Sequence, residues 1–320
     1  SLIGMRAVVI SDGRVSWEDR PTPSPRDQEL LVRVQAAGLN GADLLQRAGR
    51  YPPPPGTPAD QPGLECAGVV EQLGGAVTRF ERGDRVMSLL AGSGQAEWAV
   101  VHERLAMPVP AQVPPIEAGG FPEAFATAYD ALFTQGKLAM GERLLVTGAA
   151  GGVGLAAVQL GLAAGATVVA SVRAGSLHER VAALGAICAG PSDAFGSGPF
   201  DVVLELVGGP GLPQALGSLA PWGRVVVIGT GAGARADLDL ATLMGRRATI
   251  RGSTMRNRTL EEKALAARRL EDHVLPLLAE GRLKVVVEAA FPFEQAQAAY
   301  ERFAAGGKFG KVVLAAPGDQ

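Results

Sequence analysis

The run Val146-Thr147-Gly148-Ala149-Ala150-Gly151-Gly152-Val153-Gly154 carries the most specific chemical spacing in the chain. From Gly148 to Gly152 no side chain exceeds a methyl group. Bare backbone amides can approach a phosphate closely, and a helix that starts at such a turn adds the positive potential of its unpaired N–H groups. The spacing Gly148-x-x-Gly151-x-x-Gly154 departs from G-x-G-x-x-G. Tight packing of a strand on a helix would also use glycines here. Context favours the phosphate reading, because strand-like Arg143–Thr147 precedes the turn and helical Gly152–Ala164 follows it. The ligand this suits is the diphosphate of a dinucleotide.

The strand after that helix should end near an adenosine ribose. A carboxylate there would take the 2′-hydroxyl of NAD, whereas a cation or hydroxyl suits the 2′-phosphate of NADP. The residues are Ala170-Ser171-Val172-Arg173, with no acid before Glu179. Ser171 and Arg173 therefore point to NADPH; the other reading of Arg173 is a solvated surface arginine. Other chemistries lack their residues. His102, His178 and His273 form no short-spaced ligand pair, and Cys66 and Cys188 cannot make a four-thiolate zinc site. No G-x-S-x-G elbow is present.

These residues need a scaffold. Strand-like Arg143–Thr147, Thr167–Val172, Asp201–Leu206 and Arg224–Ile228 alternate with helical Gly152–Ala164, Leu177–Leu184 and Leu212–Leu219. Such alternation means α/β architecture with a doubly wound parallel sheet. The Gly/Pro/Ser-rich segment Ala189–Pro199 predicts one abbreviated crossover. Leu144–Val172 holds no charged residue and is long enough to span a bilayer, but its glycines favour strand, turn, buried helix and strand in a covered sheet. Before Glu123 the pattern is mostly β: Met5–Ile10, Glu29–Ala36, Glu65–Leu73, Arg85–Ser88 and Glu97–Val101 are short apolar runs separated by turn signals. This suits a partly open barrel or a sandwich. Tyr51-Pro52-Pro53-Pro54-Pro55-Gly56 is an extended loop, since prolines lack donors. Near the end, Thr259–Glu262 reads as a capping box, Ala264 to Leu277 as one helix stopped by Gly281, Lys284–Val287 as a strand, Phe293–Ala305 as a helix and Lys311–Leu314 as a strand. Residues 125–258 thus form one domain, and 1–124 with 259–320 another.

At 320 residues and 47% hydrophobic, the chain can build two cores. Thirty basic against 32 acidic residues leave a net charge of −2, so no global basic field exists to hold nucleic acid. Two cysteines imply no disulfide framework, consistent with a reducing cytoplasmic setting. Ser1–Gly4 lacks a signal layout, and Met5 would make a natural start. Arg246, Arg247, Arg251, Arg256 and Arg258 form a local basic run. It reads first as a solvated strand edge and loop, and second as a border attracting anions.

The chain resembles the zinc-independent quinone oxidoreductases of the medium-chain dehydrogenase/reductase superfamily, which are similar to zeta-crystallin. The likeness rests on Ala37–Pro52 with its Asn40, Asp43 and Arg47-x-Gly49-x-Tyr51 elements, on Pro62–Gly68, on Thr127–Leu132, on Gly148–Gly154 and on Gly310–Leu314. The resemblance implies a Rossmann domain beside a GroES-like catalytic domain, a homodimer, and NADPH-dependent, metal-free reduction of a quinone or activated alkene. It carries cofactor contacts onto Thr127, Gly148, Ala150, Gly151, Gly152, Val153, Ser171, Arg173, Val207, Gly229, Thr230 and Lys311. For Thr127 the alternative is capping of its helix. Zinc-dependent relatives place ligands where this chain has Asn40, Leu64 and Glu123. Many members have a tyrosine where this chain has Leu45. Candidate catalytic residues by the same resemblance are Tyr51, Asn40 and Asp43. Tyr51 could donate to an acceptor oxygen or anchor its loop; Asn40 could act in catalysis or bridge backbone and cofactor; Asp43 reads as an orienting group. An enoyl-thioester reductase and a cofactor-binding protein with little turnover are the rival functions.

Arg173→Ala tests the cofactor reading. Loss of a charge-assisted contact to the 2′-phosphate should weaken NADPH binding by about ten-fold or more and erase any preference over NADH. Unchanged affinity and preference in a binding titration would remove Arg173 from the site.

Overall fold

The structure, a computed structural model, describes residues 4–318. The reading of Ser1–Gly4 as a segment before the natural start falls outside the described residues except at Gly4, which opens a strand. The chain divides into two compact units, one drawn from Ser1–Ala126 and Met255–Gln320 and the other Thr127–Thr254.

The unit Thr127–Thr254 holds a six-stranded sheet, parallel throughout. Its spatial order is Ile187–Ala189, Thr167–Ser171, Arg143–Val146, Phe200–Glu205, Leu219–Val227 and Thr249–Gly252. In chain order this is 3-2-1-4-5-6, the doubly wound Rossmann arrangement. Strands covered on both faces need continuous apolar sequence, and Leu144, Leu145, Val146, Val202, Val203 and Leu204 are all buried. The uncharged stretch accordingly splits into the strand Arg143–Val146, the buried helix Gly152–Ala163 and the strand Thr167–Ser171. Among the described residues no helix is long and apolar enough to cross a membrane. The abbreviated crossover is the six-residue helix Pro191–Gly196.

The other unit is mostly β. Its seven-stranded sheet runs Val287–Pro292, Lys311–Ala315, Glu29–Gly38, Glu65–Leu73, Arg85–Leu89 and Ala106–Pro108, with Trp98–His102 also paired to Glu29–Gly38. All these pairings are antiparallel except Val287–Pro292 on Lys311–Ala315. The core beneath includes Val32, Val34, Cys66, Val70, Phe293, Tyr300 and Val312. A separate hairpin joins Gly4–Ser11 to Arg14–Pro21.

Several elements differ from the sequence reading. Arg14–Pro21 carries four charges and no apolar run that marks a strand, yet it is one, with one face in water. The helix expected to run from Ala264 to Leu277 breaks at Val274: one helix spans Leu260–His273, and Pro276 sits in the first turn of the next, Leu275–Ala279. A proline there has no N–H to continue the ladder. The strand expected at Lys284–Val287 lies later, at Val287–Pro292, because its register is set by pairing with Lys311–Ala315. The Thr259–Glu262 capping box is present as expected. The basic run is solvated at Arg247 and Arg251, but Arg256 is buried.

Candidate functional site

In the unit Thr127–Thr254, the turn after Arg143–Val146 supplies a cradle of backbone groups. Gly148 has φ +59°, in the left-handed region. A Cβ added at Gly154 would lie 2.5 Å from the Gly148 carbonyl oxygen, so the helix packs hard against the turn. The turn is tied at 3.1 Å by Ala149 N–H to the Ser171 carbonyl and by Gly151 N–H to the Gly148 carbonyl. Gly151 is the N-cap of Gly152–Ala163, and no side chain caps that helix. The first-turn amides of Gly152 and Val153 are thereby left to a ligand or water. Gly148, Ala150, Gly151, Gly152 and Val153 all lie on this one turn, and the residues present fit a diphosphate.

The other carried-over cofactor residues of this unit, Thr127 apart, sit at the ends of the neighbouring strands. Ser171 closes Thr167–Ser171 and is buried, and Arg173 follows it, exposed and without an ion pair among the described residues. Val207 follows Phe200–Glu205 and is exposed; Gly229 and Thr230 follow Leu219–Val227. All belong to the carboxyl ends of the strands, where the sheet reverses its winding. Thr127 lies inside the helix Pro122–Tyr129, which rules out the capping role.

Two residues the sequence reading missed hold this rim. The Glu205 carboxylate Oε1 accepts from the Thr147 hydroxyl at 2.9 Å and from the amides of Val207 at 2.7 Å and Gly208 at 2.9 Å. Thr147 in turn accepts from the Leu206 amide at 2.8 Å. An acid closing the apolar run Val202–Leu204 was the available signal.

The mostly β unit brings Asn40, Asp43 and Lys311 together around Glu65. Lys311 Nζ donates to Glu65 Oε1 at 2.6 Å, to Asn40 Oδ1 at 2.7 Å and to the Leu39 carbonyl at 2.9 Å. These three acceptors match the three donors of an ammonium, so Lys311, expected as a cofactor contact, is instead committed to an internal ion pair. Its strand is wholly buried, which keeps solvent from replacing those partners. Asn40 Nδ2 donates to the same Glu65 oxygen at 2.9 Å, which engages both ends of its amide. Asp43 accepts the Asn40 amide at 2.8 Å and the Gly63 amide at 3.2 Å. Burial pushes Asp43 up to about 6, against the pull of those amides and of Lys311. Glu65 Oε2 takes the Glu123 amide at 2.8 Å, and burial pushes Glu123 itself up to about 8. Leu64 is buried beside this knot. Among the described residues no group of three His, Cys, Asp or Glu side chains could hold a metal ion.

Tyr51 is half-buried on the proline loop, and its hydroxyl makes no hydrogen bond among the described residues. Burial pushes its phenol above the ordinary range, so it remains a donor at neutral pH. Leu45, on the helix Gly41–Arg47, brings no ring to this region.

Comparison with known proteins follows this division. Residues 26–133 match the alcohol dehydrogenase GroES-like domain, and residues 164–314 match the zinc-binding dehydrogenase family. The chain is 30% identical over 308 residues to the quinone oxidoreductase of Lama guanicoe, covering 92% of this chain and 91% of that one. It is 32% identical over 310 residues to a component of the phenolphthiocerol/phthiocerol polyketide synthase of Mycobacterium tuberculosis, where the match covers 92% of this chain but only 14% of that protein. Among solved structures, the human synaptic vesicle membrane protein VAT-1 homolog-like protein superposes with a TM-score of 0.84 at 28% identity, covering 98% of each chain. These features define an oxidoreductase of the medium-chain dehydrogenase/reductase superfamily. Within it, the chain belongs to the quinone oxidoreductase family.

Asp43 generates a pH prediction. Its folded value lies above its ordinary one, so its contribution to stability is greatest below about pH 4 and declines as pH rises through about 6. The stability of the wild type relative to Asp43→Asn should therefore fall over that window, by at most about 1.4 kcal/mol per pH unit. Urea denaturation of both proteins from pH 4 to 8 measures it; a constant difference would contradict the assignment.

Proposed function

We propose that this protein is an NADPH-dependent reductase of quinones or activated alkenes that works without a metal. The observation that carries the reading is the uncapped helix at Gly151, with Ser171 and Arg173 in place of a ribose-binding acid. Gly148, Ala150, Gly151, Gly152 and Val153 would hold the diphosphate, and Ser171 with Arg173 the 2′-phosphate. Thr127, Val207, Gly229 and Thr230 would border the nicotinamide end. When bound, the reduced nicotinamide supplies a hydride to an electron-poor acceptor.

Negative charge then builds on an acceptor oxygen, and a donor aimed at it lowers the barrier most where water is excluded. Tyr51 is the group with a free donor. Asn40 and Asp43, proposed for catalysis on resemblance, are occupied by Glu65, Lys311 and backbone amides; their part is to fix the frame in which Tyr51 sits. Zinc chemistry lacks its donors here, since Leu64 has no ligating atom and the Asn40 amide is committed at both ends.

A second reading, reduction of an enoyl thioester, is favoured by the match to the polyketide synthase. A homodimer is proposed through the edge strand Thr249–Gly252, beside which Trp222, Leu240 and Met244 are exposed; sedimentation reads that state. A cytoplasmic setting accords with free Cys66 and Cys188.

The absorbance of NADPH, followed with a small quinone and with an enoyl thioester, separates the readings. Oxidation with quinone is expected; oxidation only with the thioester would select the second reading, and binding without turnover would exclude both. Tyr51→Phe should lower kcat/KM by about 10²-fold, the usual cost of one charge-stabilising donor. An unchanged kcat/KM would remove Tyr51 from catalysis.

A further inference from the structure

Arg256 was expected to face water with its arginine neighbours, yet it is only 2% exposed. Its guanidinium fork reaches three separate segments of its own unit. Nε donates to the Ala91 carbonyl at 2.9 Å, Nη1 to the Tyr51 carbonyl at 3.1 Å, and Nη2 to Gln46 Oε1 at 2.6 Å. Gln46 passes the tie onward, because its Nε2 donates to the Ala59 carbonyl at 2.9 Å. The proline loop is therefore held at both ends, once through Tyr51 and once through Ala59. The guanidinium carbon also lies 5.1 Å from the centre of the Tyr51 ring.

All three acceptors are neutral, and Arg256 makes no ion pair among the described residues. A buried cation without a directly bonded counter-ion is strongly disfavoured relative to water. A merely structural tie between loops could be made by a neutral amide. What the guanidinium adds is a rigid planar fork and a positive charge against one aromatic ring.

We propose that Arg256 is the positioning residue that holds the Tyr51 phenol in place as donor to the reduced acceptor, an inference that rests on the role given to Tyr51 above. The ionisable groups facing Tyr51 are Arg256 and Glu123, and Arg256 in turn faces Asp43, Glu123 and Lys263. A lysine retains the charge but not the fork, so it cannot bind three segments in one plane.

The test is a cycle of Arg256→Gln, Arg256→Lys and Tyr51→Phe, alone and combined. Each Arg256 variant should lower kcat/KM for the quinone by about ten-fold or more while moving NADPH affinity by less than about two-fold. In the Tyr51→Phe background the same variants should cost less than about two-fold, because the group they position is gone. An equal loss in both backgrounds, or no loss in the wild type, overturns the proposal. Gln46→Leu keeps the guanidinium and cuts one tie; it should reproduce the pattern at about three-fold if an Arg256 variant fails to fold.

A second readout is independent of turnover. The chain has only three tyrosines. Tyr300 is buried, donates to Gln95 and is held well above the ordinary range, so it stays neutral in an alkaline titration. The phenolate band that Tyr51→Phe deletes should titrate at a different pH in Arg256→Gln. A band that stays in place overturns the positioning role. Should the wild type reduce no quinone while that band still moves, the catalytic reading of Tyr51 fails and the tie to Arg256 stands.

Discussion

A helix that begins without a side-chain cap leaves backbone donors unsatisfied, and at Gly151 nearly everything in the proposed chemistry depends on that fact. The sequence offers no Ser, Thr, Asp or Asn at the position, where such a residue would satisfy those amides and contribute about 1 kcal/mol. Stability is given up locally, and a bound anion would recover it. The surrounding structure keeps the turn from relaxing. Gly154 admits the helix against the Gly148 carbonyl, the Ser171 carbonyl fixes Ala149, and Glu205 with Thr147 fixes the next rim segment.

The mostly β unit solves a different problem, the burial of charge. Glu65 and Lys311 are both removed from water, and the attraction within such a pair offsets its desolvation only when the remaining donors and acceptors are filled. Asn40, the Leu39 carbonyl and the Glu123 amide fill them. Removing one partner would strand the other, a loss of about 3–5 kcal/mol. The result is a stiff polar frame beside which one phenol, Tyr51, has an uncommitted hydroxyl. Arg256 meets the same difficulty with neutral acceptors alone, which is why its position calls for more than packing.

What could be read directly from the residues was local. The glycine turn, the alternation that makes a doubly wound sheet, and the capping box at Thr259 each lie within a few residues of chain. Burial on both faces wrote Leu144–Val146 and Val202–Leu204 as continuous apolar runs, so strand identity was plain. Two of the misreadings share a cause. Lys311 finds Glu65 across 246 residues and Arg256 finds Gln46 across 210, and nothing in a neighbouring stretch announces either partner. Arg256 sits among arginines that do face water, so composition pointed the wrong way. Arg14–Pro21 carried no strand signal because its hairpin leaves one face open to solvent, where charges are tolerated.

Calorimetric titration of the intact protein with NADPH, with NADH as the comparison, tests the phosphate turn most directly. The uncapped first-turn amides of Gly152 and Val153, with Arg173 beyond them, predict saturable heat at one site per chain and tighter binding of NADPH. Absence of heat with both nucleotides would contradict the phosphate turn and the chemistry built on it.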